Sequence, residues 1–183
     1  MHELILGGCK SGKSRCAEQR AAAWLAQPGR EAVLVATALA GDDEMRERIA
    51  RHQAERAATL PALRTLEVPQ ALPEALAGQA APQRLLVVDC LTLWLTHLLM
   101  PMQGPGLDAA AWSAREAALL AALEGARGPV VLVSNEIGLG VAPMSSEARR
   151  FVDALGSLHQ RVAQRCTRVT LMVAGLEMAV KRA

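Results

Sequence analysis

The sequence predicts an α/β fold, a mostly parallel sheet flanked by helices, in one domain spanning residues 1–183. Three observations lead there. Short β-branched or Leu-rich runs alternate with longer Ala-rich helical patterns. The strong runs are nearly continuous in apolar residues, as strands are when helices cover both faces of a parallel sheet. Residues of the AVILMFWYC set make up 51% of the chain, which supplies a sizeable core and excludes a mostly disordered polypeptide.

The elements follow in order. Residues 3–6 form the first strand and 13–26 the first helix, which Gln27-Pro28-Gly29 ends. Residues 32–37 are the second strand. The helix over 43–56 has Asp42 or Asp43 suited to its N-cap and acids in its first turn that suit the helix dipole. A weaker strand at 63–68 and a helix at 71–78 come next. The strand 85–89 leads into an apolar helix, 91–99. A Pro- and Gly-rich loop over 100–106 precedes Asp108, an N-cap for the helix that runs to 126. Strand 130–134, helix 146–166 and strand 169–173 complete the pattern. Such alternation implies βαβ units with right-handed crossovers. No linker is long enough to separate domains, and no internal repeat is present.

Composition narrows the function. Aromatics are 2% of the chain, three Trp and one Phe with no Tyr, so a base-stacking platform for single-stranded nucleic acid is not expected. A net charge of +2 gives no strong field toward nucleic acid or an anionic membrane. Cys9, Cys16, Cys90 and Cys166 form no CxxC pair, which argues against tetrahedral zinc. The opening MHELILGG lacks the basic and apolar regions of an export signal, and no apolar run reaches membrane-spanning length. A cytoplasmic protein with free thiols is the expectation.

The strongest motif is Gly7-Gly8-Cys9-Lys10-Ser11-Gly12-Lys13-Ser14, which fits G-x-x-x-x-G-K-[ST] between an apolar strand and a helix. Glycines let backbone N–H groups converge on an anion, and the helix start adds its positive dipole end. Lys13 would neutralise the β- and γ-phosphates, and the Ser14 hydroxyl would bind Mg²⁺. The metal's second protein ligand is expected to be an acid at the end of a buried strand, which Asp89 provides; Asp89 is also placed to cap the next helix. The predicted fold is therefore a P-loop NTPase fold of the RecA-like type.

On the second helix, Arg48, His52 and Arg56 are spaced by four and form one row, while Met45 and Ile49 share an inward stripe. On spacing alone, a solvated face salt-bridged with Glu44, Glu47 and Glu55 is the favoured reading of that row. The alternative is a row that meets a triphosphate, since arginines bind phosphate oxygens bidentately. A neutral imidazole beside the bound nucleotide could then attack the α-phosphate and form a phosphoramidate.

At this point the chain resembles the bifunctional adenosylcobinamide kinase / adenosylcobinamide-phosphate guanylyltransferase family of cobalamin biosynthesis, over nearly its whole length. The blocks that carry the resemblance are GGCKSGKS at 7–14, VATA, DDEMRERIARHQAER at 42–56, VVDCLTLWLTHLL at 87–99, VSNEIGLGVAP at 133–143, ARRFVDALGSLHQ at 148–160 and VAG at 173–175. The resemblance implies phosphorylation of the aminopropanol hydroxyl of adenosylcobinamide with ATP or GTP. It implies a second step that moves GMP from GTP onto that phosphate through a guanylylated histidine, giving adenosylcobinamide-GDP and pyrophosphate. His52 stands at the histidine position, which favours the phosphate-facing reading of its row.

By the same resemblance His52 and Lys13 are catalytic. Gly7, Gly8, Cys9, Lys10, Ser11, Gly12, Lys13, Ser14, Ala36, Thr37, Ala38, Gln53, Ala54, Glu55, Arg56, Glu67 and Asp89 contact nucleotide, with Ser14 and Asp89 as Mg²⁺ ligands. Asn135 and Glu136 end a strand and face the same crevice. A homotrimer with a corrinoid groove between subunits is implied, no nucleic-acid partner is expected, and helix 91–99 with Trp94 is either a subunit interface or corrinoid wall, or ordinary core. Arg51 replaces a second histidine of some members, Ala57 replaces a common Pro, and His97 and His159 stand where Asn is usual. Two rivals from the residues alone are a small-molecule P-loop kinase without nucleotidyl transfer and a nucleotide-dependent regulatory module.

Overall fold

The computed structural model of the chain describes residues 1–41 and 43–182, without the side chains of Glu44 and Arg48. Asp42, one of the two expected caps, and the Arg48 end of the cationic row therefore lie outside the described residues. The elements are β1 (His2–Gly7), α1 (Lys13–Leu25), β2 (Glu31–Ala36), α2 (Asp43–Thr59), β3 (Leu63–Glu67), α3 (Leu72–Gln79) and β4 (Arg84–Asp89). They continue with α4 (Leu91–Leu99), α5 (Ala109–Gly125), β5 (Val130–Asn135), α6 (Ser146–Arg165), β6 (Arg168–Val173) and β7 (Leu176–Lys181). Every predicted element is present, with ends within a few residues, and the expected Asp108 cap accepts a hydrogen bond from the Ala111 N–H at 2.8 Å.

One sheet carries the strand order β3-β2-β4-β5-β1-β6-β7. The first six strands pair in parallel, and β7 returns antiparallel to β6. The strand leading into the phosphate loop, β1, is thus separated from the acidic strand β4 by β5. This order places the C-terminal ends of β4, β5 and β1 side by side, the crevice where open α/β sheets bind ligands.

Alternation along the central strands sorts side chains to two faces. Leu4, Val33, Val35, Leu86, Val88 and Leu132 meet Leu72, Leu76, Trp94, Leu119, Leu123, Leu155 and Leu158 from α3 to α6. Ile5, Leu34, Leu85, Val87, Val131 and Val133 meet Cys16, Ala17 and Ala21 of α1, whose small residues allow close approach to the sheet. Of the two readings of helix 91–99, the structure selects core. Trp94 is fully buried, donates its indole N–H to the Gln70 carbonyl at 2.9 Å and packs tilted against Trp112, with ring centroids 5.6 Å apart.

Helix α2 differs from the others. None of its described residues is fully buried. Met45, Ile49, His52 and Arg56 form its half-buried stripe, so the expected inward pair extends into the histidine row itself.

The pattern of apolar runs ends at 173 and does not reveal β7. The signal of that strand is weak because all six residues are exposed, so no burial pattern marks it. The turn before it is nonetheless well specified. Ala174 and Gly175 have φ of 51° and 81°, the two left-handed positions of a tight hairpin turn. Arg20 on α1 locks the hairpin to the body, pairing with Glu3 of β1 at 3.0 Å and Glu177 of β7 at 2.5 Å.

Replacing Trp94 with Ala removes the largest fully buried side chain among the described residues and its partly buried hydrogen bond to Gln70. The expected loss is about 3–5 kcal/mol of unfolding free energy, read from the urea midpoint.

Candidate active site

The phosphate loop begins where β1 ends. Gly7 has φ of 155°, and a Cβ there would lie 2.6 Å from the Met172 carbonyl oxygen, so the neighbouring strand leaves no room for a side chain. Gly12, the residue before α1, has φ of 99°, and Lys10 is left-handed at 55°. These conformations turn successive N–H groups toward one concavity. Two backbone hydrogen bonds brace the loop from outside. Glu136 N–H donates to the Gly7 carbonyl at 3.0 Å, and Gly175 N–H donates to the Ser11 carbonyl at 3.0 Å. Within the loop, the buried Lys13 ammonium reaches back to the Gly8 carbonyl at 2.6 Å. Ser14 follows, half-buried, in the first turn of α1.

The register across the sheet lines up the remaining candidates. Ala36 at the end of β2 is opposite Glu67 of β3 and Asp89 of β4, while Gly7 is opposite Asn135 of β5. Glu67, Ala36, Asp89, Asn135 and Gly7 therefore stand along one edge of the sheet. Asp89 is not a helix cap, since Cys90 occupies that position before α4. Its carbonyl accepts from Thr37 N–H at 3.0 Å, and the Thr37 hydroxyl donates to the Cys90 carbonyl at 2.7 Å, which fixes the 36–38 segment. His97, where Asn is usual in the family it resembles, is half-buried with Nε2 3.0 Å from the Thr37 carbonyl oxygen. Burial holds it below the ordinary imidazole value, with the Thr37 contact opposing.

Helix α2 closes over this edge through two ties. Gln53 donates to Glu67 at 3.5 Å, and the Arg56 guanidinium lies 3.7 Å from the Glu18 carboxylate on α1. Glu18 is pushed above the ordinary carboxylate value, chiefly by burial and then against the pull of Arg56; Asp89 and His52 are close enough to act on it as well. The Arg56 Nε is buried without a hydrogen-bond partner among the described residues. Such a donor is costly to leave unsatisfied, and an anion's oxygen would satisfy it. His52 is 40% exposed, with Nδ1 3.6 Å from Glu55 Oε2. Next to Gln53 and Arg56 lies an open cavity of about 200 Å³, lined also by Leu60, Pro61, Leu63 and Thr65. Ala54 is exposed on the outer side of the helix, as is Cys9 on the loop.

Sequence reasoning missed three participants. Glu18 looks like an ordinary helix-surface acid, although its spacing of four from Ser14 puts both on one face. The hairpin residue Gly175 joins the loop only through the fold. The third is a buried polar chain under β5. His159 Nε2 lies 2.7 Å from Ser134 Oγ, Ser134 Oγ lies 3.0 Å from Thr92 Oγ1, and Thr92 Oγ1 accepts from Asn135 N–H at 2.7 Å. No periodicity marks such a network, because its members come from α4, β5 and α6.

Residues 3–180 match the family model described as cobinamide kinase / cobinamide phosphate guanyltransferase. The bifunctional adenosylcobalamin biosynthesis protein CobP of Pseudomonas aeruginosa is 51% identical over 181 residues, covering 99% of this chain and 98% of that one. The bifunctional adenosylcobalamin biosynthesis protein CobU of Salmonella typhimurium is 34% identical over 187 residues, covering 97% and 98%. Among solved structures, the flagellar accessory protein FlaH of Methanocaldococcus jannaschii shares the fold, with a TM-score of 0.52 and 12% identity over 99% of this chain and 78% of its own. Likeness of that extent along the whole sequence means that the chain belongs to the cobinamide kinase / cobinamide phosphate guanyltransferase family.

Proposed function

We propose that residues 1–183 act as one catalytic unit that runs both reactions of its family from a single phosphate cradle. In the first, the terminal phosphate of ATP or GTP goes to the hydroxyl of adenosylcobinamide. In the second, GMP passes from GTP to the adenosylcobinamide phosphate through His52, releasing pyrophosphate and giving adenosylcobinamide-GDP. The observation that carries this reading is the docking of α2. It sets Arg56 on Glu18 of α1, with His52 and Asp89 both near enough to act on that carboxylate.

Each residue has a chemical task. The loop's N–H groups and the start of α1 hold the phosphates. Lys13 balances charge that builds on the bridging and terminal oxygens. Arg56 offers its unpartnered Nε to a phosphate oxygen. His52 supplies the nitrogen that attacks the α-phosphorus, and Glu55 beside Nδ1 steadies the ring as it gains positive charge. Glu67 has only acceptor oxygens, which suit the adjacent N–H donors on the edge of guanine. Ala36, Thr37 and Ala38 provide backbone beneath the nucleotide.

Ser14 and Asp89 offer hard oxygen donors, one on the loop helix and one on the acidic strand, a set that suits Mg²⁺ alongside phosphate oxygens and water. When bound, the ion would neutralise phosphate charge. Among the described residues no cluster of three or more His, Cys, Asp or Glu is grouped to hold a metal ion.

The corrinoid is the acceptor in this reading, and a homotrimer supplies the rest of its groove. The wholly exposed edge strand β7, with Leu176, Met178 and Val180 in the open, supports self-association. We place the enzyme in the cytoplasm; no helix among the described residues is long and apolar enough to cross a membrane.

Incubation with GTP labelled at the α-phosphate tests the second reaction directly. The expected outcome is acid-labile, base-stable label on the wild-type chain and none on His52→Ala. Label that persists on that variant, or never forms on an active wild type, rules out the histidine route. Lys13→Ala is expected to lower both the phosphorylation of adenosylcobinamide and the labelling by at least about 100-fold, since one ammonium serves both phosphate ends.

A further inference from the structure

The kinase half needs a group to take the proton of the acceptor hydroxyl, and neither His52 nor Lys13 suits that task. His52 is committed to the α-phosphate, and the Lys13 ammonium has no lone pair to offer. The acceptor must approach the terminal phosphate from the open side of the loop, near the end of β1. Of the acids along this edge, Asp89 is taken by the metal reading, and Glu136 stands next to the loop. Glu136 follows β5 directly, and its backbone is bonded to the Gly7 carbonyl, one residue from the Gly8 carbonyl that holds the Lys13 ammonium.

The side chain of Glu136 is held rather than free. One oxygen, Oε1, accepts from the Gly138 N–H at 2.7 Å. The other, Oε2, lies 3.7 Å from Nδ1 of His159, which is itself buried on α6. The opposite ring nitrogen of His159 rests on Ser134, and Ser134 on Thr92, so the imidazole cannot swing away. Burial keeps His159 below the ordinary imidazole value, against the raising influence of Glu136. Wedged between Ser134 and Glu136, the ring gives the carboxylate a fixed neighbour. The Glu136 side chain is nevertheless 23% exposed, so a substrate oxygen can reach it.

What lies beyond Glu136 suits a large apolar acceptor. The segment from Ile137 to Met144 leaves Leu139, Val141 and Met144 more than four-fifths exposed. A cavity of about 190 Å³ opens there between Ile137, Val141, Pro143, Arg149 and Val152.

We propose that Glu136 is the general base of the kinase step and that His159, through Ser134 and Thr92, positions it. The hydroxyl oxygen of the acceptor bonds to the γ-phosphorus, and the bond from that phosphorus to the bridging oxygen breaks. The nucleoside diphosphate leaves with the bonding pair, and the hydroxyl proton passes to a carboxylate oxygen of Glu136. The assignment rests on the functional reading above, and the two reactions of the enzyme separate them experimentally.

Phosphorylation of adenosylcobinamide by ATP and labelling of His52 by α-labelled GTP are measured on the full chain carrying Glu136→Gln, Glu136→Asp or His159→Asn. Glu136→Gln is expected to lower the kinase kcat at least about 100-fold, with KM for ATP and the labelling rate within about threefold of wild type. Glu136→Asp recovers a fraction of the kinase kcat. His159→Asn lowers kinase kcat about tenfold at unchanged KM for ATP. The proposal is overturned if Glu136→Gln keeps its kinase kcat, or if kinase and labelling fall together, the mark of a merely structural role. A wild-type chain that neither phosphorylates nor labels overturns the functional reading itself, and this assignment with it.

Discussion

Everything at this site depends on holding a backbone in conformations that most residues avoid. The phosphate loop runs through left-handed positions at Lys10 and Gly12 and leaves no space for a side chain at Gly7. Such a loop stays put only if its surroundings over-determine it. Here the bracing comes from two distant segments. Glu136, at the end of β5, and Gly175, in the β6–β7 turn, each donate a backbone N–H to a loop carbonyl. Apart from the Ser11 N–H, which donates to the Gly8 carbonyl, the loop's N–H groups are then left for an anion in the proposed reactions.

That bracing also explains the value of the antiparallel β7. It buries nothing of its own, yet the hairpin it completes places Gly175 against Ser11, and Arg20 pins it to α1 and β1 through Glu3 and Glu177. A guanidinium shared between two carboxylates, one of them buried, gives the geometry direction that apolar packing alone does not. The outermost strand thereby supports the innermost functional element.

Helix α2 represents the opposite arrangement. The helices α3 to α6 are fixed by apolar contacts on one face of the sheet, and α1 by small residues on the other. Helix α2 is held by polar ties, Gln53 to Glu67 and Arg56 to Glu18. The Gln53 tie is exposed and easily broken in water, while the Arg56–Glu18 pair is partly shielded. In the proposed reactions, a helix that brings His52 to an α-phosphate in one and leaves room for an acceptor in the other is better served by such ties than by a packed interface.

The α/β class, the order of elements and the phosphate loop follow from local pattern, because continuous apolar runs, helix caps and the spacing of Gly7, Gly12, Lys13 and Ser14 are written within a few residues of each other. Asp89 follows as well, since an acid that closes a buried strand has few purposes. The row of Arg48, His52 and Arg56 does not follow from spacing alone: periodicity puts side chains on one face without saying what that face meets, and resemblance to a family had to choose. The remaining features need the fold. Strand β7 carries no burial signal, Glu18 becomes a partner only when α2 lies across α1, and the chain Thr92–Ser134–His159 joins residues up to 67 positions apart. Local sequence sets which backbone conformations and buried faces are cheap. The meeting of polar groups from separate elements is set by how those faces stack, and there the chemistry of this protein is assembled.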